Sequence, residues 1–198
     1  MGVPNPETVR ARPEFYFGSP RELAEHCEKC RVLAQEQLGL TVDKDAVLCV
    51  FMGRWVYQKG IDVLADCAGE MLLLMPKLQL VVIGPTGDVY GQYAAVKFEF
   101  LCKQKIFEGR IVVENRYFQP PESLRWGASF CIMPSRLEPF GYVDIELAWH
   151  GTPTIGPAVG GLGKVPGVYF NVWDAALAFR RPKNENKNFI RNFWGHFS

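Results

Sequence analysis

Apolar residues follow two alternating patterns along this chain. Short runs that are apolar nearly throughout, AVLCVFMG (46–53), LQLVVIG (78–84), RIVVEN (110–115), ASFCIMP (128–134) and TPTIG (152–156), read as strands. Between them, apolar residues return every three or four positions, as on one face of a helix. Such stretches run from about Gly60 to Met75, where Pro76 stops them, and from about Tyr90 to Lys105. A short one surrounds Glu122–Trp126, and another runs from after Glu138-Pro139 to about His150. An earlier helix, 20–38, is bounded by Ser19-Pro20 and Gly39, residues suited to a helix start and stop. Strands that are apolar on both faces, each followed by a helix, belong to a parallel sheet covered on both sides with right-handed crossovers. The predicted fold is α/β, a Rossmann-like doubly wound parallel sheet.

At 198 residues, the chain fits one such domain, over 19–178, with attachments at its ends. Residues 1–18, rich in Pro and polar side chains, read as an extended lead-in, with no apolar signal core. The tail, 179–198, is basic and aromatic: from Arg180 on it has five basic residues against one acidic, interleaved with Phe189, Phe193, Trp194 and Phe197. It reads as a segment packing on a partner domain, or a disordered end, in preference to an RNA-binding arm. The net charge of +1 creates no field that would recruit nucleic acid or an anionic membrane. No apolar run approaches the roughly 18 residues of a membrane span. The six cysteines carry no disulfide pattern, so free thiols and an intracellular location on the cytoplasmic side are expected, in a parent protein that is plastidial or membrane-tethered in some settings. Cys27 and Cys30 share a helix face with Leu23 and Ala34, the spacing of core packing; a zinc site would need a second ligand pair.

Ligands of doubly wound sheets bind beyond the carboxyl ends of the strands. This chain places its unusual residues there: Gly53-Arg54 and Gln58-Lys59-Gly60 after the first strand, Gly84-Pro85-Thr86-Gly87-Asp88 after the second, Ser135-Arg136-Leu137-Glu138-Pro139-Phe140-Gly141 after the fourth, and Gly160-Gly161-Leu162-Gly163-Lys164 after the fifth. Arg54 suits bidentate contact with a phosphate and Lys59 adds a point charge. Together with helix N-termini they point to a phosphate-bearing ligand, a diphosphate in particular. The G-x-G-x-x-G fingerprint, the P-loop and the G-x-S-x-G elbow are all absent, which argues against an ordinary NAD domain, a P-loop ATPase and a serine hydrolase. His26, His150 and His196 suggest no triad, and no carboxylate cluster suggests a metal.

GRWVYQKGIDVL (53–64), LVVIGPTGD (80–88) and SRLEPFGYVDIELAWHGTPTIGPAVGGLGKVPG (135–167) resemble the C-terminal half of glycogen and starch synthases, retaining glycosyltransferases of the GT-B fold. The resemblance runs from about Asn5 to Asn171 and implies one half of a GT-B enzyme, the donor-binding half. Arg54 and Lys59 match the pair that binds the donor's diphosphate, and Glu138 matches the first glutamate of E-x7-E, which lies against the donor glucose. Gly141 and Tyr142 fall where main-chain amides meet sugar and phosphate, and Glu146 matches the glutamate that holds the nucleotide ribose. Tyr117 falls near an aromatic that stacks on the base; Gly84, Pro139, Phe140, Gly160 and Gly161 lie in the motifs around the donor. Phe140, Val143 and Glu146 replace residues of bacterial and plant starch synthases, and Gly-Gly-Leu-Gly followed by Pro-Gly is closer to cell-wall α-1,3-glucan synthases.

The implied activity is transfer of glucose from UDP-glucose or ADP-glucose to an α-glucan with retention. Glu138, Arg54 and Lys59 carry the chemistry, without metal or other cofactor. The acceptor-holding N-terminal domain and its Lys-Thr-Gly-Gly-Leu motif are missing from this chain, so it is expected to be inactive alone. The alternative is a non-catalytic nucleotide-sugar-binding or interaction module.

Overall fold

A computed structural model of the protein describes residues 17–171. Most of the lead-in and all of the tail at 179–198 lie outside the described residues. The described chain alternates as α1 (Pro20–Leu38), β1 (Val47–Met52), α2 (Ile61–Leu74), β2 (Leu78–Ile83), α3 (Val89–Cys102), β3 (Ile111–Glu114), α4 (Glu122–Gly127), β4 (Phe130–Ile132), α5 (Val143–Ala148), β5 (Thr154–Pro157) and β6 (Gly167–Phe170). The strands form one sheet in the order β3-β2-β1-β4-β5-β6, and every pairing is parallel. The doubly wound expectation holds.

Helix ends follow the local chemistry. Ser19 Oγ accepts from the Glu22 amide at 3.2 Å, and Gly39 closes α1 at φ 70. Asp88 opens α3 by accepting from Gly91 N at 2.9 Å through one oxygen, and through the other it accepts from Tyr57 N at 2.7 Å. One side chain thus caps a helix and anchors the loop after β1.

The sheet is buried on both faces, which explains why its strands are apolar throughout. Cys49 and Phe51 of β1 join Leu78, Leu80 and Val82 of β2 under α2 and α3. Leu48 and Val50 face the other way, with Val81 and Ile83, toward Ala34, Leu124 and Leu147. Gln79 is the polar exception; it is buried and satisfied by Gln35 Nε2 at 2.8 Å and the Thr41 carbonyl at 2.6 Å. Cys27 and Cys30 lie half-buried on the α1 face that packs toward α4, and both are free thiols. Desolvation raises their pKa values.

Two expectations differ from the structure. The helix after Glu138-Pro139 spans only Val143–Ala148, because Gly141 at φ 79 breaks helical geometry and the Phe140 carbonyl is engaged by Lys164. The last strand, β6, was not expected. Its four residues at the sheet edge, after Pro166, show too short a pattern to stand out from the glycine-rich loop before them.

Candidate functional site

β1 and β4 are neighbours, yet the chain continues from β1 toward β2 on one side and from β4 toward β5 on the other. Their carboxyl ends therefore flank the crevice where a doubly wound sheet takes its ligand. The loop leaving β1 is held by Trp55, which is fully buried. Its amide donates to the Pro85 carbonyl at 2.8 Å, and its carbonyl accepts from Gly87 N at 2.9 Å. With residue 55 pinned inward, Arg54 stands exposed and forms no ion pair among the described residues.

A 3-10 turn, Tyr57–Lys59, follows and ends at Gly60, which also opens α2. Gly60 has φ 65, and a Cβ there would lie 1.9 Å from the Pro134 carbonyl oxygen. Only glycine allows this turn to press so closely on the loop leaving β4. The contact brings together two segments that are 79 residues apart: Lys59 Nζ donates to Glu138 Oε2 at 2.5 Å. The Glu138 side chain is 4 % exposed and that of Lys59 is 20 % exposed. Ser135 Oγ donates to the same Oε2 at 3.2 Å. Oε1 has no hydrogen-bond partner among the described residues. One carboxylate oxygen is thus spoken for and the other is uncommitted.

Arg136 stitches these loops together. Its guanidinium forms a bidentate pair with Asp62 at 2.7 and 2.8 Å, donates to the Tyr57 carbonyl at 2.9 Å, and lies 4.1 Å from the Tyr57 ring centroid. Its amide donates to the Gln58 carbonyl at 2.9 Å. A planar cation that is both paired and stacked resists displacement.

Beyond Glu138, Pro139, Phe140 and Tyr142 are exposed, with the Phe140 and Tyr142 rings 4.9 Å apart. Glu146 lies in the first turn of α5, half-buried, and its carboxylate has no partner among the described residues. Gly160 and Gly161 stand behind the loop: Gly161 N donates to the Glu138 carbonyl at 2.6 Å. A Cβ at Gly160, which has φ 54, would meet that carbonyl oxygen at 2.1 Å. Gly84 is buried at the end of β2, its amide donating to the Glu114 carbonyl at 3.0 Å. Tyr117, 80 % exposed, projects after β3. The His150 ring bonds the Glu146 carbonyl at 2.7 Å and Glu122 Oε1 at 2.9 Å.

The sequence profile described as Glycosyl transferases group 1 matches residues 46–179, more than half of the chain and the whole of this crevice. The chain belongs to this family. The glycosyl transferase domain is 39 % identical over 173 residues to the cell wall alpha-1,3-glucan synthase mok11 of Schizosaccharomyces pombe, covering 86 % of this chain and 7 % of that protein. It is 34 % identical over 160 residues to starch synthase 1 of Triticum aestivum, covering 80 % of this chain and 23 % of that protein. The fold matches the catalytic domain of starch synthase IV from Arabidopsis thaliana bound to ADP and acarbose, with a TM-score of 0.64 at 21 % identity over 92 % of this chain and 41 % of that one. The fold of a GT-B glycosyltransferase half is thereby shown.

Several residues of this site escaped the sequence reading. Ser135, Arg136 and Asp62 lie inside the quoted motifs, yet Arg136 and Asp62 take their roles from a contact between distant segments and Ser135 from its bond to Glu138. Asp144 and Lys164 pair at 2.6 Å, and nothing in their 20-residue separation announces it. Among the described residues, no three His, Cys, Asp or Glu side chains converge as a metal site would require. No described helix is long and apolar enough to cross a membrane.

Proposed function

We propose that this chain binds the nucleotide-sugar donor of a retaining glucosyltransferase that builds an α-glucan. The donor is UDP-glucose or ADP-glucose, and the acceptor is held by residues beyond this chain. The observation that carries the reading is the Lys59–Glu138 pair at the strand-order reversal, with Arg54 exposed on the same loop as Lys59 and forming no ion pair among the described residues. Breaking the bond from sugar to diphosphate demands stabilisation of the departing anion, and preorganised cations supply it without reorganisation. In this reading Arg54 grips the diphosphate in two-point fashion and Lys59 meets it as a point charge. Glu138, held through Oε2, offers Oε1 to a glucose hydroxyl and supports positive charge developing at the anomeric carbon. Glu146 reaches the ribose, and Tyr117 lies on the side of the base.

The relatives agree with this chemistry in what they are named for. Those similar in sequence are named as α-1,3-glucan and starch synthases, and the matching starch synthase IV structure holds ADP. The chain spans 7 % of mok11, so the transfer itself belongs to this reading and calls on further residues for the acceptor.

Titration calorimetry of the folded chain with UDP, ADP, UDP-glucose and ADP-glucose tests the proposal and chooses the base. Binding at micromolar to low millimolar concentration is expected. Absence of binding in a chain whose circular dichroism shows it folded would refute it. Binding of both free nucleotides with no gain or loss from the glucose would favour a nucleotide-binding module that does not handle sugar.

A further inference from the structure

Lys164 has no part in the donor contacts described above. Its ammonium nevertheless donates to three oxygens: the Phe140 carbonyl at 2.5 Å, the Gly161 carbonyl at 2.8 Å and Asp144 Oδ2 at 2.6 Å. An ammonium has three N–H bonds, so all are committed and none is left for a ligand. Its charge is matched by Asp144, whose side chain is fully buried, while that of Lys164 is 25 % exposed. This lysine is therefore a fastener and not an anion receptor.

The contact of most consequence is the one with Phe140. In a trans peptide the carbonyl and the following N–H point in opposite directions. Holding the Phe140 carbonyl toward Lys164 turns the Gly141 N–H away from it. Gly141 itself, at φ 79, is wedged among the same groups: a Cβ there would lie 2.9 Å from Asp144 Oδ1, 3.1 Å from Lys164 Nζ and 3.2 Å from Glu138 Cγ. At the other end of the loop, Gly161 N holds the Glu138 carbonyl. The segment 160–164 thus clasps the loop 138–141 at both ends.

We infer that Lys164 is a positioning residue for the sugar end of the donor. It sets the Phe140–Gly141 peptide, and through that loop the aim of Glu138, without touching the ligand. The inference rests on the donor-site reading. It separates the two ends of the ligand, because Arg54 stands on the loop leaving β1 and bonds none of the clasp residues, while Lys59 meets the clasped loop through the Glu138 carboxylate.

The test compares UDP-glucose with UDP, and ADP-glucose with ADP, by calorimetry on the 198-residue chain and its K164Q and K164R variants. K164Q is expected to weaken the sugar nucleotide roughly tenfold, the worth of one charge-assisted contact, and the free nucleotide by less than about threefold. K164R, which restores a cation, should recover most of the lost sugar-dependent affinity. Should K164Q fail to fold by circular dichroism, D144N/K164Q, which leaves no unpaired charge at position 144, is measured in its place. If wild type binds and the variant weakens both ligands equally, or neither, the inference falls and the donor reading stands. If wild type binds neither pair, both fall together.

Discussion

The asymmetry of the Lys59–Glu138 pair makes a quantitative prediction. Glu138 is the buried partner and Lys59 the more exposed one. Lys59→Met removes the cation and leaves the carboxylate with Ser135 Oγ as its hydrogen-bond donor. Removing one partner of a fully buried pair costs about 3–5 kcal/mol, because an uncompensated charge stays inside. The remaining Ser135 donor and the partial exposure of the lysine reduce this to about 2–3 kcal/mol. Glu138→Gln leaves the charge on the lysine, which can turn to water, and keeps an acceptor of nearly the same shape, so its cost is about 1 kcal/mol. The double variant K59M/E138Q holds no charge at this position and should be about 1–2 kcal/mol more stable than the sum of the single effects. Urea unfolding of the four proteins, followed by circular dichroism at one pH and salt concentration, measures all three quantities. At roughly 2–4 °C per kcal/mol for a chain of this size, the K59M melting temperature should fall by about 4–12 °C. Equal effects of the single substitutions, or strict additivity in the double, would refute the buried-pair argument.

Other expectations follow from the same geometry. Gly60→Ala should destabilise by about 2–5 kcal/mol, since it places a Cβ 1.9 Å from the Pro134 oxygen at φ 65; a melting temperature within a degree of wild type would contradict this. Arg54→Gln should leave stability within about 0.5 kcal/mol and weaken UDP or ADP tenfold or more, as seen by calorimetry. In the native chain, Cys102 is the exposed cysteine and should alkylate first, faster as pH rises, because partial desolvation of its thiol puts its pKa above the ordinary value. Cys49 and Cys67, pushed to about 12 by desolvation, should react only after unfolding, and mass spectrometry of alkylated peptides reads the order.

Much of the fold was legible because its signals are local. The 20–38 helix was bounded correctly by Ser19, Pro20 and Gly39, since a cap acts through bonds to residues three or four away. β1 and β2 were recognisable because burial on both faces requires an unbroken apolar run. Periodicity served α5 less well. Its N-terminus is set by Gly141 and by a lysine more than twenty residues downstream, which shifts Glu146 from the middle of an expected longer helix into the first turn of a short one. Of the candidate site residues, Lys59 and Glu138 meet, Arg54 and Tyr117 project into solvent, and Gly160 and Gly161 form the wall behind the Glu138 loop.

By itself, then, the sequence determined the order of elements as far as β5, the parallel doubly wound sheet, and the loops on which the chemistry-bearing residues lie. These depend on side-chain period, helix caps and turn glycines, all of which act within a few residues. Only the tertiary structure decided that β1 lies against β4, so that two loops 79 residues apart share one carboxylate. It alone showed which of that carboxylate's oxygens Lys59 and Ser135 engage, and that Asp62, Arg136, Asp144 and Lys164 hold the loops in place. Such pairings arise when packing brings distant backbone into contact, and charges removed from water must then find partners wherever the fold supplies them.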